Sequence, residues 1–277
     1  MYSPNDRTLI ELAGKDRVKF LHGMTTADVK GLQPRTGTIA AMVEIKGKLL
    51  AELIIYAQPN SLFIETDLTT SEIVMKTLAK YKVIDDVQIV DRSNVARKWV
   101  MIGAPHHFPS HICVAELPVP VAPTFHSWIY QGEYDHGLKS ISPQEWETLR
   151  IEAGIPKFGV DIGPENLPLE SSYLEKGISY TKGCYIGQET ITRVAHRGGH
   201  IAHRLMGITS EKEIPLGSSL KWKDKDVGKI TSTTYSPRLQ KYLGLALIHR
   251  DAFAPGTTVQ ITSAGPQIGT VLKLNVD

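Results

Sequence analysis

From residue 203 to residue 277 the chain alternates short apolar runs with Gly, Pro, Lys and Asp turns, and no stretch there has the apolar spacing of a helix. That pattern restricts this part of the chain to a small β-barrel or sandwich. The residues before it mix helical and strand patterns, and the character changes just past Arg197-Gly198-Gly199-His200. A boundary near 198–203 thus separates an α/β domain, residues 1–198, from a C-terminal β-barrel domain, residues 203–277. A length of 277 residues suits two such domains better than one small core.

Within the first domain, Gly14 to Leu21 reads as a short helix with Val18, Phe20 and Leu21 facing inward, followed by a turn-rich segment in which Thr25, Thr26 or Asp28 bonds loop backbone. Thr38 to Tyr56 is a hairpin turning at Gly47-Lys48, and Ser61 to Thr66 is a further strand. Asp67 to Thr70 supply N-cap candidates for a helix over Ser71 to Tyr81, with Ile73, Val74, Leu78 and Ala79 on its inner face. Val83 to Val90 and Trp99 to Ile102 have strand character. The stretch Pro105 to Pro123 is rich in Pro and His; His106, His107 and His111 lack acidic or cysteine partners at ligand spacing, so it reads as a connecting loop and not as a metal site. Ser142-Pro143-Gln144-Glu145 opens a capping-box helix that ends at Glu152, before Gly154-Ile155-Pro156.

The formal net charge of +2 gives no support to direct nucleic-acid binding. Apolar runs such as Leu53-Ile54-Ile55 and Leu243 to Ile248 are too short to span a bilayer, and Met1 to Arg7 has neither a signal-peptide core nor the look of a transit peptide. Cys113 and Cys184 stand 71 positions apart without paired-cysteine or histidine-ligand spacing, so a reduced, cytoplasmic setting is expected and a self-contained zinc or iron–sulfur site is not.

The densest chemistry is Lys182-Gly183-Cys184-Tyr185-Ile186-Gly187-Gln188-Glu189. Two glycines disfavour a helix interior, and the polar residues disfavour a plain strand. A shaped loop or strand end presenting a thiol, a phenol and an amide fits better. The segment resembles the Lys-Gly-Cys-Tyr-x-Gly-Gln-Glu signature of the YgfZ family, folate-binding proteins linked to iron–sulfur cluster assembly and repair and related to the glycine cleavage aminomethyltransferase, or T-protein. Gly14 to Gly23 with Thr26-Ala27-Asp28-Val29, Arg150-Ile151-Glu152-Ala153-Gly154, and Ser236-Pro237 with Leu243-Gly244-Leu245-Ala246 resemble further elements of that superfamily.

The resemblance implies a T-protein-like α/β (α+β) folate-binding domain followed by a small β-barrel. It implies a reduced folate, tetrahydrofolate or a one-carbon derivative, as cofactor, and iron–sulfur assembly proteins or client enzymes, tRNA-modifying ones included, as partners. Cys184 is the functional residue; its role, whether redox chemistry, sulfur or iron contact, or nucleophilic attack, stays open. Glu152 is the pterin acceptor, framing one cavity with the signature loop; its structural alternative is a solvent-facing acid paired with Arg150 or Lys157. Lys182, Tyr185, Gln188 and Arg193 complete the folate-binding candidates, and no metal ligand is assigned. Arg193, His196, Arg197, His200, His203 and Arg204 form a basic run, a folate-tail anchor or a solvated segment. Ala51-Glu52 stands where the T-proteins carry paired aspartates. Alternation along the strand sends the two side chains to opposite faces, so aminomethyl transfer or demethylation is the alternative function and not the first.

Overall fold

The computed structural model of the chain describes residues 5–94, 97–102, 113–117, 125–130, 139–196, 201–262 and 266–274. Two compact units emerge: Met1–Ile141 with Lys176–Thr192, and Ser142–Glu175 with Arg193–Asp277. The segment Ser142–Glu175 clusters with the barrel strands.

In the first unit, β1 (Arg7–Ala13), α1 (Arg17–Met24), β2 (Gly37–Val43), β3 (Leu49–Ala57), β4 (Ser61–Asp67), α2 (Ser71–Tyr81) and β5 (Gln88–Asp91) are followed by β6 (Arg97–Ile102), β7 (Cys113–Leu117) and β8 (Phe125–Tyr130). The first five strands form an antiparallel sheet in the order β2-β3-β4-β1-β5; the last three form a second antiparallel sheet in the order β6-β8-β7. Successive side chains of a strand point to opposite faces. Ile10, Leu12, Met42, Leu53, Ile55 and Ile64 accordingly bury against Phe20 and Leu21 of α1 and Val74 and Leu78 of α2. Arg7, Glu52, Tyr56 and Glu65 alternate out of phase with them and meet on the other face.

Several expectations are corrected here. On α2 the inner stripe is Val74 and Leu78 with Met75 and Tyr81 partly buried, while Ile73 and Ala79 are exposed. The helix rolls so that the 74/78/81 spacing faces the sheet. Strand β5 begins only at Gln88; Val83 and Ile84 stand exposed in the preceding loop. The segment read as irregular contains β7, which pairs with β8, and neither β1 nor β8 was legible from local pattern. His106, His107 and His111 lie outside the described residues.

The second unit contains α3 (Pro143–Ala153), α4 (Ser172–Glu175), the end of α5 (Gln188–His196), and six strands: β9 (His203–Ser210), β10 (Ser219–Trp222), β11 (Lys225–Ser236), β12 (Lys241–His249), β13 (Thr258–Thr262) and β14 (Pro266–Leu272). These strands close into an antiparallel barrel, β10-β11-β12-β9-β14-β13, filled by Ile208, Leu220, Ile230, Ile248 and Ile261. The expected capping box is present on α3: the Ser142 hydroxyl accepts from the Glu145 N–H and the Glu145 carboxylate accepts from the Ser142 N–H. Gly154 ends the helix in the left-handed conformation, φ 69°. Among the described residues no helix is long and apolar enough to cross a membrane.

Candidate functional site

An α-helix leaves its last carbonyls without partners inside the helix. Those of α1 are served from elsewhere in the first unit. The Thr25 hydroxyl donates to Leu21 O at 3.1 Å, the Lys182 ammonium donates to His22 O, and the Ile186 N–H donates to Gly23 O at 3.2 Å. The same ammonium donates to Thr25 O and Ala27 O, both at 2.7 Å. An ammonium has three hydrogens, and all three are spent on carbonyls. The charge also sits at the negative end of the helix dipole. Residues 183–185 consequently form an arch whose feet, Lys182 and Ile186, both stand on the C-terminal end of α1.

The neighbouring turn is stitched to the same segment. Thr26 donates its hydroxyl to Gly177 O at 2.8 Å and accepts the Ala41 N–H at 2.9 Å, while the Ser179 N–H donates to Thr26 O at 3.0 Å. The expectation that threonines of this turn bond loop backbone is met, and the loop they bond includes the run into the signature.

Cys184 lies exposed at the crest of the arch as a free thiol. Tyr185 is buried beneath, its ring centroid 4.8 Å from Lys182 Nζ. Burial, reinforced by Tyr180, pushes its phenol up to about 12, so the ring carries no charge at neutral pH. Burial also holds Lys182 down to about 8, which leaves it protonated at neutral pH. His22 is pushed below its usual value by burial and then by Lys182 and Lys30, against the pull of Asp28, whose carboxylate lies 3.3 Å from Nδ1; the same nitrogen lies 3.4 Å from the Lys30 N–H. The two glycines differ in kind. Gly187 has φ +78°, and a Cβ there would meet Glu44 O at 2.4 Å; a Cβ on Gly183 would meet nothing within 4 Å. Only Gly187 is demanded by sterics. Gln188 and the exposed Glu189 then open α5.

A second polar cluster lies on the opposite face of the five-stranded sheet. Arg7 Nε donates to Glu65 at 2.7 Å, its two terminal nitrogens each reach Glu52 at 3.3 Å, the Tyr56 hydroxyl donates to Glu65 at 2.6 Å, and Lys98 pairs with Glu65. Burial alone would raise the Glu65 carboxyl, but Lys98 and Arg7 outweigh it and hold the group below its usual value. Ala51 packs in the helix-side core, whereas Glu52 belongs to this cluster, as strand alternation requires.

In the second unit, Glu152 is buried in the last turn of α3. Its Oε1 accepts from the Ser236 hydroxyl and its Oε2 from Arg238 Nε at 3.2 Å. It does not pair with Arg150, which instead donates to Asp161 at 2.8 Å and to Glu147. Neither Ser236 nor Arg238 was singled out as a partner, since 84 and 86 positions separate them from Glu152. The Ser236-Pro237 turn was the available signal. Arg193 and His196 are exposed on α5, Arg204 pairs with Glu175 at 3.4 Å, and His203 stands edge-on to His249 at 5.5 Å. Arg197 and His200 lie outside the described residues, and among the described residues no His, Cys, Asp and Glu cluster is arranged to hold a metal ion.

Comparison with known proteins agrees with this construction. The model of the glycine cleavage T-protein C-terminal barrel domain matches residues 203–273. The tRNA-modifying protein YgfZ of Hamiltonella defensa is 28% identical, over 70% of this chain and 65% of its own length. A mitochondrial iron–sulfur cluster assembly factor IBA57 homolog of Phaeosphaeria nodorum is 27% identical, over 69% of this chain and 51% of its own. The match thus spans less than two thirds of either relative. The glycine cleavage system aminomethyltransferase T of Bartonella henselae superposes with a TM-score of 0.84, covering 100% of this chain and 85% of that one at 14% identity, which establishes a shared fold.

Proposed function

The chain is a YgfZ-family relative of the glycine cleavage T-protein, and on that footing we propose that it binds a reduced folate and assists iron–sulfur cluster assembly or repair, acting through Cys184. The relatives that support this reading are named for tRNA modification and for iron–sulfur cluster assembly. Its partners are then assembly proteins or cluster-dependent client enzymes, tRNA-modifying ones among them, and its setting is the cytoplasm. The observation that carries the proposal is the arch. It anchors both flanks of Cys184 on α1 and leaves the thiol exposed. A cysteine serving only to pack would be buried.

The acceptor chemistry of Glu152 fits a pterin. A carboxylate offers about four lone-pair sites, and Ser236 and Arg238 occupy two of them. The remaining sites suit the paired N–H donors of a pterin edge, and burial of the carboxylate strengthens such a bond. Within the first unit, Tyr185 and Gln188 are proposed as folate contacts in their own right, with Lys182 contributing through the loop it holds; Arg193 is proposed as one in the second unit. Tetrahydrofolate would supply one-carbon chemistry when bound. Aminomethyl transfer is not favoured: of the T-protein acid pair only Glu52 remains, and Arg7 occupies its carboxylate.

Two measurements test the proposal. Titration calorimetry with tetrahydrofolate is expected to show saturable binding that Glu152→Gln weakens; no heat with the wild-type protein would rule out the folate part. In cells lacking the protein, folded Cys184→Ala is expected to leave a cluster-dependent tRNA-modifying enzyme inactive. Full restoration by that variant would remove the thiol from the mechanism.

A further inference from the structure

We propose that Lys182 is the positioning residue of the arch, an internal cation that fills a cage of three backbone carbonyls and thereby fixes where Cys184 is displayed. The cage consists of His22 O, Thr25 O and Ala27 O, and the Lys182 ammonium donates to each. His22 and Thr25 are buried, so withdrawing the ammonium would strand their carbonyl oxygens away from water, whereas Ala27 O also accepts the Val29 N–H at 3.1 Å. The charge supplies what the end of α1 lacks, because among the described residues no backbone N–H outside helices and strands donates to His22 O or Thr25 O. The ammonium also stands over the Tyr185 ring, 4.8 Å from its centroid, a face that favours a cation. The charged groups facing the ammonium are Asp28 and Lys30 from the same turn, and they oppose one another. Burial costs the ammonium more than its charged neighbours return. What the cage therefore provides is placement more than net stability.

Geometry of this kind is not specific to lysine. Three carbonyl oxygens around a site of ammonium size also suit a free ammonium ion. Lys182→Ala vacates the cage and leaves room for one, whereas Lys182→Met keeps the hydrocarbon stem in place and closes it.

The test uses the full chain carrying Cys113→Ser, with a nitroxide label on Cys184. The unsubstituted arch is expected to give a broad, immobilised spectrum, and Lys182→Ala a sharp, mobile one. Hydrogen exchange of the Ile186 amide, which donates to Gly23 O, is expected to accelerate at least tenfold in that variant. Ammonium chloride is expected to restore both readouts in Lys182→Ala, and tetramethylammonium chloride at the same ionic strength is not, since it has no N–H to donate. Lys182→Met should be mobile and refractory to either salt. An immobile label in Lys182→Ala, or equal effects of the two salts, would overturn the proposal. The value of this placement rests on the thiol role proposed above, but the assay needs neither folate nor a cluster. Failure of the cage and failure of the thiol role are therefore read in separate experiments.

Discussion

Lys182 Nζ lies 2.7 Å from the carbonyl oxygen of Ala27, across 155 positions of sequence. Through this bond and its two companions, a residue of the signature segment becomes the cap of the first helix. The thiol two residues on is held relative to α1, and so relative to the core on which α1 packs.

The partly buried amine should titrate early. The Lys182 13Cε resonance is expected to shift with a midpoint near pH 8, where an unperturbed lysine titrates near 10.5. The folded-state value lies below the unfolded one, so the folded protein binds fewer protons between these limits. Wild-type stability relative to Lys182→Met is therefore expected to rise as pH increases from about 8 to 10.5, and to stay level below that window. A midpoint near 10.5 would mean that burial brings the amine no net cost.

The two signature glycines should behave differently. Gly187→Ala forces a side chain into a left-handed backbone and against Glu44 O, at an expected cost of about 3 kcal/mol in urea unfolding. Gly183→Ala meets open space and is expected to change stability by less than about 0.5 kcal/mol. Equal costs would mean that the bend at Gly187 is not as described.

The charge cluster on the far face of the sheet should set the acid limit of the first unit. Glu65→Gln leaves Arg7 and Lys98 buried without their shared carboxylate, and is expected to cost about 3–5 kcal/mol. Because the folded carboxyl is held below its usual value, its contribution is complete above about pH 4.5 and is lost as pH falls through the folded value. Glu65→Gln should flatten that acid limb in pH-dependent unfolding curves.

Glu152 has a structural role that can be measured apart from any ligand. Glu152→Gln leaves one neutral acceptor oxygen where two carboxylate oxygens accept from Ser236 and Arg238, and about 2 kcal/mol of stability should go with the change. Ser236→Ala should lose less, because Arg238 still reaches the carboxylate. Folate affinity compared between these two variants, each at a temperature where it is folded, separates loss of an acceptor from loosening of its support.

Local periodicity determined much of this protein. The hairpin turning at Gly47, the α2 helix, the box that caps α3 and the β character of the C-terminal domain are legible because each is written in apolar spacing, cap residues and turn residues within a dozen positions. The signature could be recognised as a shaped loop for the same reason: its glycines and polar residues suit neither regular element. Only the tertiary structure decided what the loop stands on. Lys182 reaches carbonyls 155 to 160 positions away, Arg7 reaches Glu52 and Glu65 across the sheet, and Glu152 reaches Ser236 over 84 positions. The physical reason is that a backbone carbonyl accepts alike whatever side chain it carries. No residue type in the segment from His22 to Ala27 announces that three oxygens there will converge, and only chain closure brings an ammonium to them.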